Sequence, residues 1–120
     1  MSLFNDALYR LEKALDVRLV KANVLAGNLA NVDTPGYTAR DVDFDEAMES
    51  AFEPGKLDSD AKEAMWATDV EGAGAGFDDN NVDLDRTMAS LSANATQYQA
   101  ATRAAGKKLA ILKYVAGDGM

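Results

Sequence analysis

The apolar positions of the chain fall into two long seams, one at each end. From Phe4 they recur at alternating steps of four and three: Phe4, Leu8, Leu11, Leu15, Ala22, Leu25, Leu29 and Val32, with Arg18 as the one polar member. That alternation is a heptad pattern. A second row, Leu3, Ala7, Ala14, Val17 and Val24, widens the stripe. The pattern predicts a helix over about Leu3 to Asn31, roughly 45 Å long at ~1.5 Å per residue. Asp6 and Arg10 add a pair four apart, with the acid on the favourable N-terminal side. The second seam runs through Leu84, Met88, Leu91, Ala95, Tyr98, Thr102, Ala105, Leu109, Leu112 and Ala116. It predicts a helix from about Asp83 to Ala116, with Gly106 as its weak interior position and Gly117 to Gly119 frayed. Its bases, Arg103, Lys107, Lys108 and Lys113, fall in the C-terminal half, as the helix dipole prefers.

Neither helix can bury its stripe alone. The expected fold is mainly α: two long terminal helices pair as an antiparallel coiled coil, joined by a short extended, helical and loop-rich middle. Residues 1–33 plus 81–120 then form one discontinuous coiled-coil domain, and 34–80 form an acidic, loop-rich segment. The expected seam residues are Leu8, Leu11, Leu15, Leu25 and Leu29 on the first helix and Leu91, Tyr98, Leu109 and Leu112 on the second. Apolar residues off the seam, such as Val17, Val24, Ala104, Ile111 and Val115, leave a second sticky face, which marks an interaction site. The isolated monomer is expected to have partly disordered termini that order on assembly.

The first seam runs into Asn23–Tyr37 and stops there. Pro35 disfavours helical backbone at Thr34. Pro35-Gly36 fits the central positions of a type II turn, with proline presetting the first dihedral and glycine tolerating the positive one. Asn31 can take the left-handed conformation that closes a helix. A helix stop alone does not call for Asn23, Asn28 and Asn31 within nine residues. Amides at helical spacing suggest hydrogen bonds to freed backbone groups, a neighbouring backbone or another chain.

The middle predicts smaller elements. Tyr37 to Phe44 reads as a short extended segment, and Asp45 as the N-cap of a helix over Glu46 to Glu53 that ends at Pro54-Gly55. Ala61 to Trp66 suits one or two helical turns within the charged and small-residue stretch 56–80. Trp66 and Phe77 are its apolar exceptions. They either anchor on a neighbouring subunit or, on the simpler reading, fold back onto the chain's own core. Asp78-Asp79-Asn80-Asn81-Val82-Asp83-Leu84-Asp85 invites a calcium reading, but it lacks the glycine at the sixth position and the closing glutamate of an EF-hand loop. Acids and amides directly before a helix are ordinary capping residues.

Charge sharpens the division. The net charge of −8 splits into −13 over residues 41–85 and +5 over the rest. The acidic middle argues against nucleic acid. The chain has no cysteine and no histidine, so thiol nucleophiles, zinc–thiolate sites and the commonest general base are absent. No catalytic, cofactor-binding or metal residues are expected, nor a small-molecule substrate or cofactor. The first residues lack the form of a signal peptide, and no apolar run is long enough to span a bilayer.

Val24-Leu25-Ala26-Gly27-Asn28-Leu29-Ala30-Asn31-Val32-Asp33-Thr34-Pro35-Gly36-Tyr37 resembles the N-terminal signature of the bacterial flagellar rod and hook proteins, a pattern close to A-N-x-A-N-x-x-T-P-G-Y. Gly27 stands where the family commonly has alanine. The run Arg40-Asp41-Val42-Asp43-Phe44 is similar to the proximal-rod branch. Asn80-Asn81-Val82-Asp83-Leu84-Asp85 and Tyr98-Gln99-Ala100-Ala101 resemble that branch's C-terminal signature. The resemblance implies a structural subunit, not an enzyme. It would be exported without a cleaved signal through the flagellar export apparatus and assembled helically with copies of itself in the periplasm as the proximal drive shaft. Its terminal helices would line the inner tube and its middle would lie outside. The implied neighbours are the adaptor FliE and the rod proteins FlgC and FlgF. Asn28, Asn31, Thr34, Pro35, Gly36 and Tyr37 are the expected assembly motif, joining inner helix to outer segment. The competing expectation is a soluble helical adaptor or export chaperone that binds partner helices through the same seams.

Overall fold

The computed structural model describes residues 2–52, 58–70, 80 and 82–118. Two long helices dominate it: α1, Ser2–Ala30, and, as the fourth and last helix, α4, Leu84–Asp118. They run antiparallel. Asn80, just ahead of α4, bonds the end of α1 at Asn31, Arg18 meets Asn94, and Phe4 lies under Lys108 near the far end. The molecule is accordingly elongated, 67 × 28 × 19 Å.

Between the helices the chain forms β1, Arg40–Val42, α2, Phe44–Ala51, α3, Ser59–Trp66, and β2, Ala67–Asp69. The two strands pair antiparallel, with Arg40 opposite Asp69 and Val42 opposite Ala67. α2 begins two residues earlier than the pattern suggests. Asp43, not Asp45, is the N-cap, and its carboxylate accepts the Glu46 N–H at 3.0 Å. Asp58 caps α3 in the same way through Ala61 N–H at 2.8 Å, and Asp83 caps α4 through Arg86 N–H at 3.0 Å. Each aspartate satisfies an amide that the first helical turn leaves unpaired.

The hydrophobic core lies between α1 and this small αβ layer. Val17, Val20 and Val24 of α1 pack with Val42, Ala47, Trp66 and Ala67, flanked by Phe44, Met48 and Ala51. The off-seam row of α1 thus faces the middle segment, while the seam row faces α4. Trp66 folds back onto this core, and its Nε1–H donates to Ser50 Oγ at 2.6 Å. Burying so large a ring contributes on the order of 2–3 kcal/mol. Phe77 lies outside the described residues. Lys21–Asp41, Arg40–Glu63 and Lys62–Asp16 ion pairs at 3.2–3.7 Å edge the layer. All three are partly solvated, so each is worth little.

The face of α4 turned to α1 carries Thr87 and Asn94, both buried, then Ala101 and Lys108 at sevenfold spacing. Leu91, Ala104, Ala105 and Leu112 are half-buried beside it. The apolar seam of α4 is therefore rotated by roughly 70° from the contact line, at ~100° per residue. Polar Thr87 and Asn94 occupy that line because each finds a backbone partner: Thr87 Oγ1 donates to the carbonyl of the capping Asp83 at 2.6 Å and Asn94 Nδ2 to Arg18 O on α1 at 2.8 Å.

Candidate functional site at the end of α1

Where α1 stops, side-chain amides take over the role of regular secondary structure. Gly36 has φ of +76°, and the Tyr37 N–H donates to Thr34 O at 3.3 Å. Pro35-Gly36 is thus the centre of a type II turn, and any side chain at Gly36 would be strained. Asn31 closes the helix ahead of it. Its Nδ2 donates to Gly27 O at 2.8 Å, and its Oδ1 accepts the Thr34 hydroxyl at 3.1 Å.

Asn28 points the other way and is 2% exposed. Its Nδ2 donates to Arg40 O at 2.6 Å, while its Oδ1 accepts the Arg40 N–H at 2.9 Å and the Tyr37 hydroxyl at 3.3 Å. One primary amide thereby pairs with both backbone groups of a β1 residue, as a neighbouring strand would. It docks the sheet onto α1.

Asn80 ties in the second helix. Its Nδ2 donates to Asn31 O at 2.7 Å and Thr34 O at 2.6 Å, and its Oδ1 accepts the Val82 N–H at 2.8 Å. Two turn carbonyls, which already accept the Thr34 and Tyr37 N–H groups, gain a second donor, and the entry to α4 is pinned to the exit of α1. Further along the hairpin, Arg18 lies with its guanidinium 3.9 Å from the Phe44 ring centre and bonds Asn94 Oδ1 at 3.5 Å. Burial lowers the Arg18 pKa, and Asp45 opposes the shift. Arginine's intrinsic basicity keeps the group charged at any pH the fold survives.

Of the expected assembly motif, Asn28, Asn31, Thr34 and Tyr37 meet in this network. Thr34, Pro35 and Gly36 are exposed at the turn, and Tyr37 is half-buried. Of the expected seam, Leu25 is buried, and Leu8, Leu11, Leu15, Leu29, Leu91 and Leu112 are half-buried. Tyr98 and Leu109 are 36% and 54% exposed. Asn80, Asn94 and Arg18 complete the network without having been singled out as joint residues. Asn80 had a visible signal as a residue preceding a helix. Asn94 had none, because it sits off the apolar pattern.

The chemistry of this site is positional. Among the described residues every buried side-chain polar atom has a partner, and no cluster of carboxylates has the form of a metal site. The acidic run 78–85 lies partly outside the described residues. No described helix is long and apolar enough to cross a membrane.

The same stretch carries the family likeness. Residues 8–38, from the middle of the first seam through the turn, match the family model described as flagella basal body rod protein. The flagellar basal body rod protein FlgB of Bacillus subtilis is 33% identical over 128 aligned positions, covering 99% of each chain. The chain belongs to the FlgB family of flagellar basal-body rod proteins. FlgB of Escherichia coli is 33% identical over 78% of this chain and 81% of its own length, and that of Aeromonas hydrophila 30% over 96% of each. This FlgB-family chain is therefore a structural protein of the flagellar basal body. In that setting the amide network is the joint between its long hairpin and its small αβ layer.

Proposed function

We propose that the chain is a proximal-rod subunit that polymerises through its terminal helices into a shaft that transmits torque and encloses an export channel. The observation that carries this is the hairpin's divided apolar surface. α1 buries one row in its own core, yet Leu19, Leu84, Met88, Tyr98 and Leu109 remain exposed along the two helices. An elongated hairpin with apolar residues along its length suits lateral packing with like subunits, and close-packed interfaces resist twist.

On this proposal 1–33 with 81–120 form the inner wall and 34–80 the outer face, with the amide joint fixing one to the other. Its partners are copies of itself, the adaptor FliE and the rod proteins FlgC and FlgF. It reaches the periplasm through the flagellar export apparatus without losing a signal peptide. Deleting the gene tests the assignment. Flagella should be lost while the membrane ring remains, and normal motility in the deletion strain would refute it.

A further inference from the structure

The two long helices meet along lines that repeat every seven residues. On α1 the line is Phe4, Leu11, Arg18 and Leu25, and on α4 it is Thr87, Asn94, Ala101 and Lys108. Arg18 bonds Asn94 and Lys108 lies over Phe4, and both contacts belong to the same register. Asn80 on Asn31 agrees with it to within one residue. In this register residues 2–28 face residues 84–110.

Apolar periodicity does not choose that register. A heptad pattern matches itself again after a shift of seven residues, about 10 Å along the axis. Shifted so that Arg18 meets Ala101, α1 would face residues 89–117, an overlap at least as long. Val115 would then meet Phe4, whereas it is now 51% exposed. The opposite shift leaves only residues 84–103 facing α1 and loses contact. Among the described residues, the core between α1 and the αβ layer includes no α4 side chain, so it does not choose either.

The difference lies in Asn94, which is 3% exposed. Its Nδ2 donates to Arg18 O at 2.8 Å, and a helix backbone offers a carbonyl at every turn, so that bond can form again after a shift. Its Oδ1 accepts from the Arg18 guanidinium at 3.5 Å and needs a side-chain donor. Seven residues along, Asn94 faces Leu25, which has none, and a buried acceptor is left unpaired. Arg18 keeps its place over the Phe44 ring in either register, because α1 and α2 do not move relative to each other.

We propose that Arg18 and Asn94 are the residues that set the register of the hairpin, as a single polar position in an apolar seam does at a cost in stability. On the rod reading, a copy shifted by one heptad would present its surfaces about 10 Å out of step with its neighbours. The register is a property of the single chain, so its test does not depend on that reading.

The chain has no cysteine, so two introduced thiols carry the only labels. Asn23→Cys and Lys113→Cys are at exposed positions off the contact lines. Nitroxide labels there stand ~36 Å apart along the axis in the described register and ~26 Å apart in the shifted one. Pulsed dipolar electron resonance on the purified full chain separates the two distances. Asn80→Ala is included throughout, so that the pin at the open end of the hairpin is gone. That chain should still give the long distance alone. Adding Asn94→Leu, which keeps the branched shape of the side chain, should raise the ratio of short to long distance at least tenfold, the effect of ~1.4 kcal/mol, with helix content by circular dichroism unchanged. The long distance alone after Asn94→Leu would overturn the proposal. So would both distances before it, or a labelled parent chain that lacks the long one. Loss of helix on Asn94→Leu would overturn it too, by making Asn94 a requirement for folding rather than for register.

Discussion

Asn28 is the residue on which the joint depends most. Replacing it with alanine removes the partner of both Arg40 backbone groups and of the Tyr37 hydroxyl. Tyr37 is half-buried and can recover a water. The Arg40 N–H and C=O are part-buried against Asn28 and lose their side-chain partner together. A buried polar group left unpaired costs about 1–3 kcal/mol, so Asn28→Ala should cost about 2–4 kcal/mol. That is a large share of the roughly 6–18 kcal/mol typical for a chain of this length. Asn28→Asp separates donor from acceptor. A carboxylate keeps the bonds from Arg40 N–H and Tyr37 but sets a negative charge against Arg40 O. Protonated, it donates to that oxygen as the amide does. Burial and the carbonyl should therefore raise its folded-state pKa above the unfolded value of ~3.9. Its stability contribution is fully present below the unfolded pKa and is lost as pH rises through the folded one. Urea titrations followed by circular dichroism at pH 4 and pH 7 read both effects. Asn28→Asp should lie nearer the parent at pH 4 than at pH 7. A loss below about 1 kcal/mol for Asn28→Ala, together with no pH dependence for Asn28→Asp, would refute the pairing as the element that docks β1 on α1.

Asn80→Ala should cost about 1–2 kcal/mol: the Asn31 and Thr34 carbonyls keep the Thr34 and Tyr37 N–H groups but each loses a donor, and the Val82 N–H loses its acceptor. Hydrogen exchange should rise at 31–37 and at the start of α4 while the core valines' amides stay protected. Gly106→Ala should stabilise α4 by about 1 kcal/mol, read as a higher thermal midpoint, because a methyl group there meets nothing within 4 Å. Gly27→Ala should also stabilise, since its new Cβ meets the Tyr37 hydroxyl at an ordinary 3.7 Å. Trp66→Phe should cost about 1–2 kcal/mol through the lost bond to Ser50 and a smaller ring, measured by urea titration followed by circular dichroism. In the parent chain the emission of this single tryptophan should shift to the red in step with unfolding.

The parts of the fold that were legible in the sequence are those written as local periodicity or turn chemistry. The alternation from Phe4 to Val32 set out α1, and Pro35-Gly36 announced a type II turn because only two residue types suit its dihedrals. The row Val17–Val24 was visible as a second stripe, although its partner, the αβ layer, was not. The start of α2 was misplaced because Asp43 and Asp45 are both good caps. Docking of Phe44 beneath Arg18 accompanies a start at the first of them. On α4 the apolar seam and the contact line diverge, since Thr87 and Asn94 hold the line through hydrogen bonds that hydrophobic patterning does not register. Asn94 reaches Arg18 across 76 residues and Asn80 reaches Asn31 across 49. Such pairings leave no periodic trace and appear only once the hairpin closes.

The most direct measurement is a density map of the assembled basal-body rod from cells carrying this chain. α1 and α4 should line the channel, with residues 34–70 outside and the Asn28 joint between the two layers. A rod in which the αβ layer faces the channel, or from which this chain is absent, would contradict the proposal.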